Sequence, residues 1–272
     1  GRHFTYNKRF ENGYQKNLRP SKEKGFDINK YLWGKKYKYL KNKKINIICP
    51  SYWMKNQLNK DKIFKKDYKI ICPYIINKKD WKISLKTKSK LKKKSDKTVI
   101  IFVATSSVDN RKGFRYLFEA VEKYLDKNKF ILINVGVKSK YFDSLSIEKK
   151  YLGHIKKIKN LKNIYSSSDI LVVPSLMESF GQVFTEAGIC GLPSVAFKRT
   201  AAADIIKHKY NGYLAEYKSA KDLAKGINWC RKNLTNNINK KKTLKNQIIK
   251  NFSYKEINKV INLYKKVQFQ SS

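Results

Sequence analysis

Two acidic residues, Glu178 and Glu186, stand eight positions apart in the segment Pro174-Ser-Leu-Met-Glu178-Ser-Phe-Gly181-Gln-Val-Phe-Thr-Glu186-Ala-Gly-Ile-Cys-Gly191-Leu-Pro193. Along a helix this spacing separates two carboxylates by about 12 Å. Such a distance suits two hydroxyl-rich groups on either side of a diphosphate, because carboxylates accept strong hydrogen bonds from hydroxyls. Gly181 lies between them. At a helix start, glycine lets a ligand approach the backbone, and the unpaired N–H groups and positive dipole end favour phosphate. A hydrolytic acid and nucleophile are the competing chemistry for two carboxyls, but those must converge on one bond rather than spread along a nucleotide.

The elements that must hold this segment follow from hydrophobic periodicity. From about Lys97 onward, short apolar β-branched runs alternate with helical patterns. Strands are expected at Thr98–Ala104, Phe130–Val135, Ile170–Val173, Pro193–Phe197 and Gly212–Ala215. Phe114, Leu117, Phe118, Val121 and Leu125 fall on one helix face, and further helices are expected at Ile158–Ser166, Gly181–Cys190, Ala202–His208 and Ser219–Arg231. This rhythm predicts a doubly wound parallel sheet whose ligands bind beyond the carboxyl ends of the strands. Ahead of it, Ile45–Cys49, Ser51–Leu58 and Lys69–Pro73 make one strand–helix–strand unit. Residues 1–76 are therefore expected to form only part of an amino-terminal domain, 77–96 a Lys-rich linker, 97–252 a complete Rossmann-like domain and 253–272 a helix packing back toward the amino-terminal part. In that helix Ile257, Val260, Ile261 and Tyr264 share a face.

Composition narrows the classes of function. The 272 residues carry 62 Lys and Arg against 20 Asp and Glu, a net charge of +42, with 41% hydrophobic residues. That apolar content can support a core, and no apolar run approaches the roughly 18–20 residues of a membrane-spanning helix. Cys49, Cys72, Cys190 and Cys230 show no C-x-x-C spacing, and His3, His154 and His208 are too few and scattered for a histidine metal motif. No metal and a reducing compartment are the expectation. The charge is mostly lysine, clustered at Lys35–Lys44, Lys78–Lys97 and Lys240–Lys245, and suits a polyanionic neighbour such as an anionic membrane surface or nucleic acid. The clusters are dispersed along the chain rather than gathered into a groove-reading helix, so no specific nucleic acid is expected.

The Pro174–Pro193 segment resembles the E-x7-E region of the retaining glycosyltransferase family 4, with its PS-x-x-E-(S/G)-F-G…EA…G-x-P pattern. The resemblance extends through Ile47-Ile-Cys-Pro-Ser51-Tyr-Trp53, Asp109-Asn-Arg-Lys112-Gly113-Phe, Ile164-Tyr165-Ser-Ser-Ser-Asp169 and Asn211-Gly-Tyr-Leu214. It implies an α/β protein of GT-B type: one complete Rossmann-like, doubly wound parallel-sheet domain and a partial amino-terminal Rossmann-like domain. Carried over position by position, it implies that Glu178 holds the hydroxyls of the donor sugar and Glu186 those of the ribose. Ser179, Phe180, Gly181 and Gln182 are then backbone contacts near the sugar and phosphates, and His154 and Ile155 mark the region that meets the base.

Lys112 matches the lysine that neutralises the leaving diphosphate, where a compact cation stabilises developing charge. The family's diphosphate arginine usually stands several residues earlier, where this chain has Thr105-Ser106-Ser107, so Arg111 is its candidate substitute. The implied activity is metal-independent hexosyl transfer from a nucleoside-diphosphate sugar to a polysaccharide, lipopolysaccharide or lipid-linked glycan acceptor, in the cytoplasm or at the inner membrane face. No cofactor beyond the donor is expected. Two rivals remain: a nucleotide-sugar-binding module without transferase activity, and a basic nucleic-acid-binding protein. Because one strand–helix–strand unit is little material for an acceptor pocket, this polypeptide is expected to bind donor but transfer sugar poorly, since bringing reactants together supplies much of the rate.

Overall fold

The computed structural model describes residues 14–81, 96–104 and 110–269. In chain order the elements are α1 (Ile28–Leu40), β1 (Asn46–Cys49), α2 (Tyr52–Lys60), β2 (Tyr68–Ile71), β3 (Thr98–Ala104), α3 (Phe114–Tyr124), β4 (Phe130–Gly136), β5 (Glu148–Tyr151) and α4 (Ile158–Ser167). They continue with β6 (Ile170–Val173), α5 (Gln182–Ile189), β7 (Ser194–Phe197), β8 (Gly212–Ala215), α6 (Ala220–Asn233), α7 (Ile238–Asn251) and α8 (Ile257–Phe269). The chain divides into two compact units: Gly1–Pro73 with Ile257–Ser272, and Tyr74–Glu256.

The larger unit is a six-stranded, wholly parallel sheet in the order β5-β4-β3-β6-β7-β8. Strands buried on both faces read as continuous apolar runs, and Ile170-Leu-Val-Val173 is buried throughout. On one face, Phe114, Leu117 and Val121 of α3 and Leu223 and Ile227 of α6 pack with Ile100, Phe102 and Val172. On the other, Tyr165 of α4, Phe184 of α5, and Leu244 and Ile248 of α7 pack with Ile101, Leu171 and Val173. Asp169, at the entrance to β6, is buried and accepts a hydrogen bond from the Val99 amide at 3.0 Å, while its own amide donates to the Val99 carbonyl at 2.8 Å. This reciprocal pair sets the start of β6 beside β3.

In the larger unit one expected helix is absent, and two elements stand where none was expected. Ala202–His208 is not a helix: a short 3₁₀ turn covers Ala201–Asp204, and Lys207–Tyr210 is a loop. Asn211 holds that loop, its side chain accepting from the Lys207 amide at 2.8 Å and donating to the Ile205 carbonyl at 3.3 Å and to Gln247 at 3.0 Å. The two unanticipated elements are β5, a polar and largely exposed edge strand, and α7, a helix where the sequence shows mainly a lysine cluster. Asn237 caps it by accepting from the Lys240 amide, and only Leu244 and Ile248 are fully buried. Two apolar residues four apart suffice because Gly188 of α5 makes room: a Cβ there would lie 2.7 Å from the Ile248 side chain.

In the smaller unit, β1 and β2 pair in parallel and α2 lies between them in sequence. Ser51 caps α2 by accepting from the Met54 amide at 3.0 Å. Asp27 likewise caps α1, which has no fully buried residue. Lys266 of α8 lies over the Tyr68 ring of β2, while Ile261 and Tyr264 of α8 remain exposed. No helix among the described residues is long and apolar enough to cross a membrane.

Gly113, at the start of α3, has φ +69° and lies so near β6 that a Cβ would sit 1.8 Å from the Pro174 carbonyl oxygen. Gly113→Ala must both strain the backbone and push two loops apart, and is expected to cost about 2–4 kcal/mol. Urea unfolding monitored by circular dichroism measures it; a cost below about 1 kcal/mol would show that the loops yield freely.

Candidate functional site

The order β5-β4-β3-β6-β7-β8 places the change of winding direction between β3 and β6. After β3 the chain winds toward β4 and β5; after β6 it winds toward β7 and β8. The loops beyond these two strands diverge, and open α/β sheets bind ligands in the resulting crevice. A cavity of about 320 Å³ is found in the larger unit, lined by Lys112 and Glu178 from these two loops, Ala104 and Gly136 at the ends of β3 and β4, His154 after β5 and Glu186 of α5.

The turn bearing Lys112 and the loop bearing Glu178 are tied together. The Leu176 amide donates to the Arg111 carbonyl at 2.7 Å, and Gly113 lies against Pro174. Lys112 then approaches Glu178 with Nζ 3.2 Å from Oε2, an ion pair with side chains 30% and 15% exposed. The Glu178 backbone is held by its carbonyl, which accepts from the Ala201 amide at 3.0 Å. Phe180 anchors the same loop, its buried ring edge-on to Tyr74 at 5.1 Å and to Phe252 at 5.7 Å. At Gly181, φ is +81°, and a Cβ would fall 2.6 Å from the Phe184 ring and 2.9 Å from the Glu178 side chain. Only glycine accommodates that turn, which ends the Glu178 loop and starts α5.

Glu186, on α5, lines the cavity, and its Oε2 accepts from the Tyr165 hydroxyl of α4 at 3.0 Å. Burial pushes the Glu186 carboxyl above the ordinary carboxylate value, and the hydrogen bond from Tyr165 works against that rise. Tyr165 is wholly buried, and burial followed by the neighbouring Glu186 charge holds its phenol well above the ordinary tyrosine value.

The cavity thus brings together Lys112, Glu178, Glu186, Gly181, Gln182, His154 and Ile155. Arg111, Ser179 and Phe180 stand outside its lining: Arg111 contributes its carbonyl to the loop tie, and Phe180 contributes its ring to the core. Thr105, Ser106, Ser107 and Asp109 lie outside the described residues. Sequence reasoning missed Leu161 and Val183 as apolar walls and Tyr165 as the partner of Glu186. Twenty-one positions separate Tyr165 from Glu186, so no local spacing could have marked the pair.

Residues 84–251 match the family model described as glycosyl transferases group 1. An uncharacterized glycosyltransferase of Methanocaldococcus jannaschii is 28% identical over 200 residues, covering 68% of this chain and 49% of that protein. The chain thus spans about half the length of this curated relative. The N,N'-diacetylbacillosaminyl-diphospho-undecaprenol alpha-1,3-N-acetylgalactosaminyltransferase of Campylobacter jejuni is 29% identical over 119 residues, 43% of this chain and 31% of that one. Among solved structures, Anabaena HepE in complex with UDP and glucose superposes with a TM-score of 0.69 at 20% identity, over 89% of this chain and 68% of its own. The fold is that of the GT-B glycosyltransferases.

The raised Glu186 carboxyl has a consequence for stability. The folded protein keeps that proton at pH values where the unfolded chain has released it, so this group's contribution to stability declines as pH rises from the ordinary carboxylate value of about 4.3 through the raised one. Glu186→Gln removes the titration. The melting temperature of the unsubstituted protein should therefore fall relative to that of the variant across this window, and a constant difference would contradict the burial assignment.

Proposed function

The chain belongs to the group 1 glycosyl transferases, and on that footing we propose that it is a retaining, metal-independent transferase taking a hexosyl group from a nucleoside-diphosphate sugar. The observation that carries the reading is one cavity lined by two carboxylates and a lysine, Glu178, Glu186 and Lys112, at the switch point of the sheet. Glu186 accepts hydrogen bonds from the ribose hydroxyls, and Glu178 holds hydroxyls of the sugar. Lys112 meets the diphosphate between them and stabilises its charge as the glycosidic bond breaks. The amide groups at the start of α5, behind Gly181, add favourable backbone dipoles for the phosphates. His154 and Ile155 border the base. The departing phosphate oxygen draws the proton from the acceptor hydroxyl on the same face of the sugar, so the new bond keeps the configuration of the old one and no protein nucleophile intervenes.

The acceptor in this reading is a polysaccharide, a lipopolysaccharide or a lipid-linked glycan. The diphospho-undecaprenol named for the C. jejuni relative supports the lipid-linked choice. So does the distribution of charge. Helices α4 and α7 carry Lys159, Lys162, Lys240, Lys241, Lys242, Lys245 and Lys250 and no Asp or Glu, whereas α3 on the opposite face carries Glu119 and Glu122, each ion-paired with lysine. A layer of lysines on α4 and α7, in which the carboxylate of the intervening α5, Glu186, is withdrawn into the cavity, suits an anionic membrane surface.

Isothermal calorimetry with nucleoside diphosphates tests the donor site. Lys112→Ala and Glu186→Ala should each weaken binding by about 1.5–3 kcal/mol, the range for hydrogen bonds to charged groups. Unchanged affinity in both would remove the assignment.

Sedimentation with vesicles tests the membrane surface. Binding to anionic but not neutral vesicles is expected, declining as salt is raised, and replacing Lys159, Lys240, Lys242 and Lys250 with Gln should weaken it at least tenfold, given about 1 kcal/mol per surface lysine. Binding that ignores both salt and these substitutions would sink the idea.

A further inference from the structure

We propose that Tyr165 is a positioning residue for the nucleotide end of the cavity: its hydroxyl fixes one oxygen of the Glu186 carboxylate, so that the carboxylate presents a single orientation to a ribose. The inference rests on the reading of the cavity as a nucleoside-diphosphate site.

Tyr165 does not itself line the cavity, whereas Glu186 does. The phenol is 0% exposed and its hydroxyl donates to Glu186 Oε2 at 3.0 Å. A buried tyrosine hydroxyl needs a partner, and this bond supplies one. The ring cannot readily move away, because Trp81, itself buried, packs against it with centroids 6.1 Å apart. Rotation of the carboxylate would break a charge-assisted hydrogen bond and leave the buried phenol unsatisfied, a cost of the same order as the ribose contact itself. Glu186 is thereby held in one pose before any ligand arrives, which lowers the entropy lost on binding.

The same bond bears on the charge of Glu186. Burial favours the neutral acid, and a neutral acid is a weaker acceptor for ribose hydroxyls; the Tyr165 hydroxyl opposes that shift. The surroundings include the Cys190 thiol at the end of α5, pushed up to about 12 by burial, with Lys162 of α4 and Lys245 of α7 acting on that thiol. Lys112, Glu178 and His154 line the same cavity as Glu186. Tyr165 is the hydrogen-bonding partner that the structure gives directly to the Glu186 carboxylate.

The test compares UDP, GDP and ADP by calorimetry, then the tightest of them with its 2',3'-dideoxy form, on four proteins: unsubstituted, Tyr165→Phe, Glu186→Gln and the double variant. The unsubstituted protein should prefer the ribonucleotide by about tenfold or more. Tyr165→Phe should lose most of that preference while binding the dideoxy form with similar affinity to the unsubstituted protein. In the Glu186→Gln background, adding Tyr165→Phe should change the preference no further, whereas a residue that only supports the fold would weaken both nucleotides in both backgrounds. Should Tyr165→Phe alone fail to fold because a buried carboxylate loses its donor, the double variant, which lacks that charge, still decides the comparison with Glu186→Gln. A ribonucleotide preference retained in Tyr165→Phe, or lost further in the double variant, overturns the positioning role and leaves the site assignment standing. Absence of binding by all three nucleoside diphosphates to the unsubstituted protein overturns both.

Discussion

The site depends on how closely the loops after β3 and β6 can approach. These strands are neighbours in the sheet although α3, β4, β5 and α4 intervene in sequence, and Asp169 bonds reciprocally to Val99 where they enter the sheet. At the far end, Gly113 lies against the Pro174 carbonyl without a side chain to keep it off. Lys112 precedes that glycine and Glu178 follows that proline by four residues, so their 3.2 Å ion pair is a product of backbone contact rather than of long side chains reaching across a gap. A side chain at position 113 would displace the cation from the carboxylate even if every polar residue were kept.

Among the described residues charge is abundant and mostly solvent-facing, and such charge contributes little to stability. The chemistry rests on the few ionisable groups withdrawn from water. Glu178 is 15% exposed beside its lysine. Glu186 is held by a phenol that burial keeps protonated. Low local polarity strengthens each of these interactions and makes each unpaired group costly, which is why both carboxylates have a built partner.

Several residues that stand out in the sequence serve the scaffold instead. Asp169 sets the entrance of β6, and Asn211 closes the loop before β8 through three side-chain hydrogen bonds. Gly212 is needed because a Cβ would lie 2.4 Å from the Ser194 carbonyl of the neighbouring strand. Phe180, in the middle of the Glu178 loop, is a core side chain whose burial between Tyr74 and Phe252 stiffens the loop from beneath. Phe180 shares a motif with the site because a loop that presents a carboxylate accurately must also be anchored.

Five of the six strands of the larger sheet and most helices were legible in the linear chain, because continuous apolar runs and a 3.6-residue period are local signals, whereas the polar, largely exposed β5 carries no such signal. Glu178 and Glu186 stood out by their spacing around Gly181, and Lys112 only through the family resemblance. Helix α7 was hidden because two buried residues, Leu244 and Ile248, carry its packing among lysines. The expected helix at Ala202–His208 gave way to a turn because Asn211, several residues downstream, claims the backbone groups a helix would have used. The Tyr165–Glu186 bond and the placement of Arg111 outside the cavity lining were decided only in three dimensions. Local pattern determines which backbone conformation a segment can adopt and which face it must bury. Which polar groups then meet, and which of them leave water, depends on packing between segments distant in sequence, and that was settled by the tertiary structure.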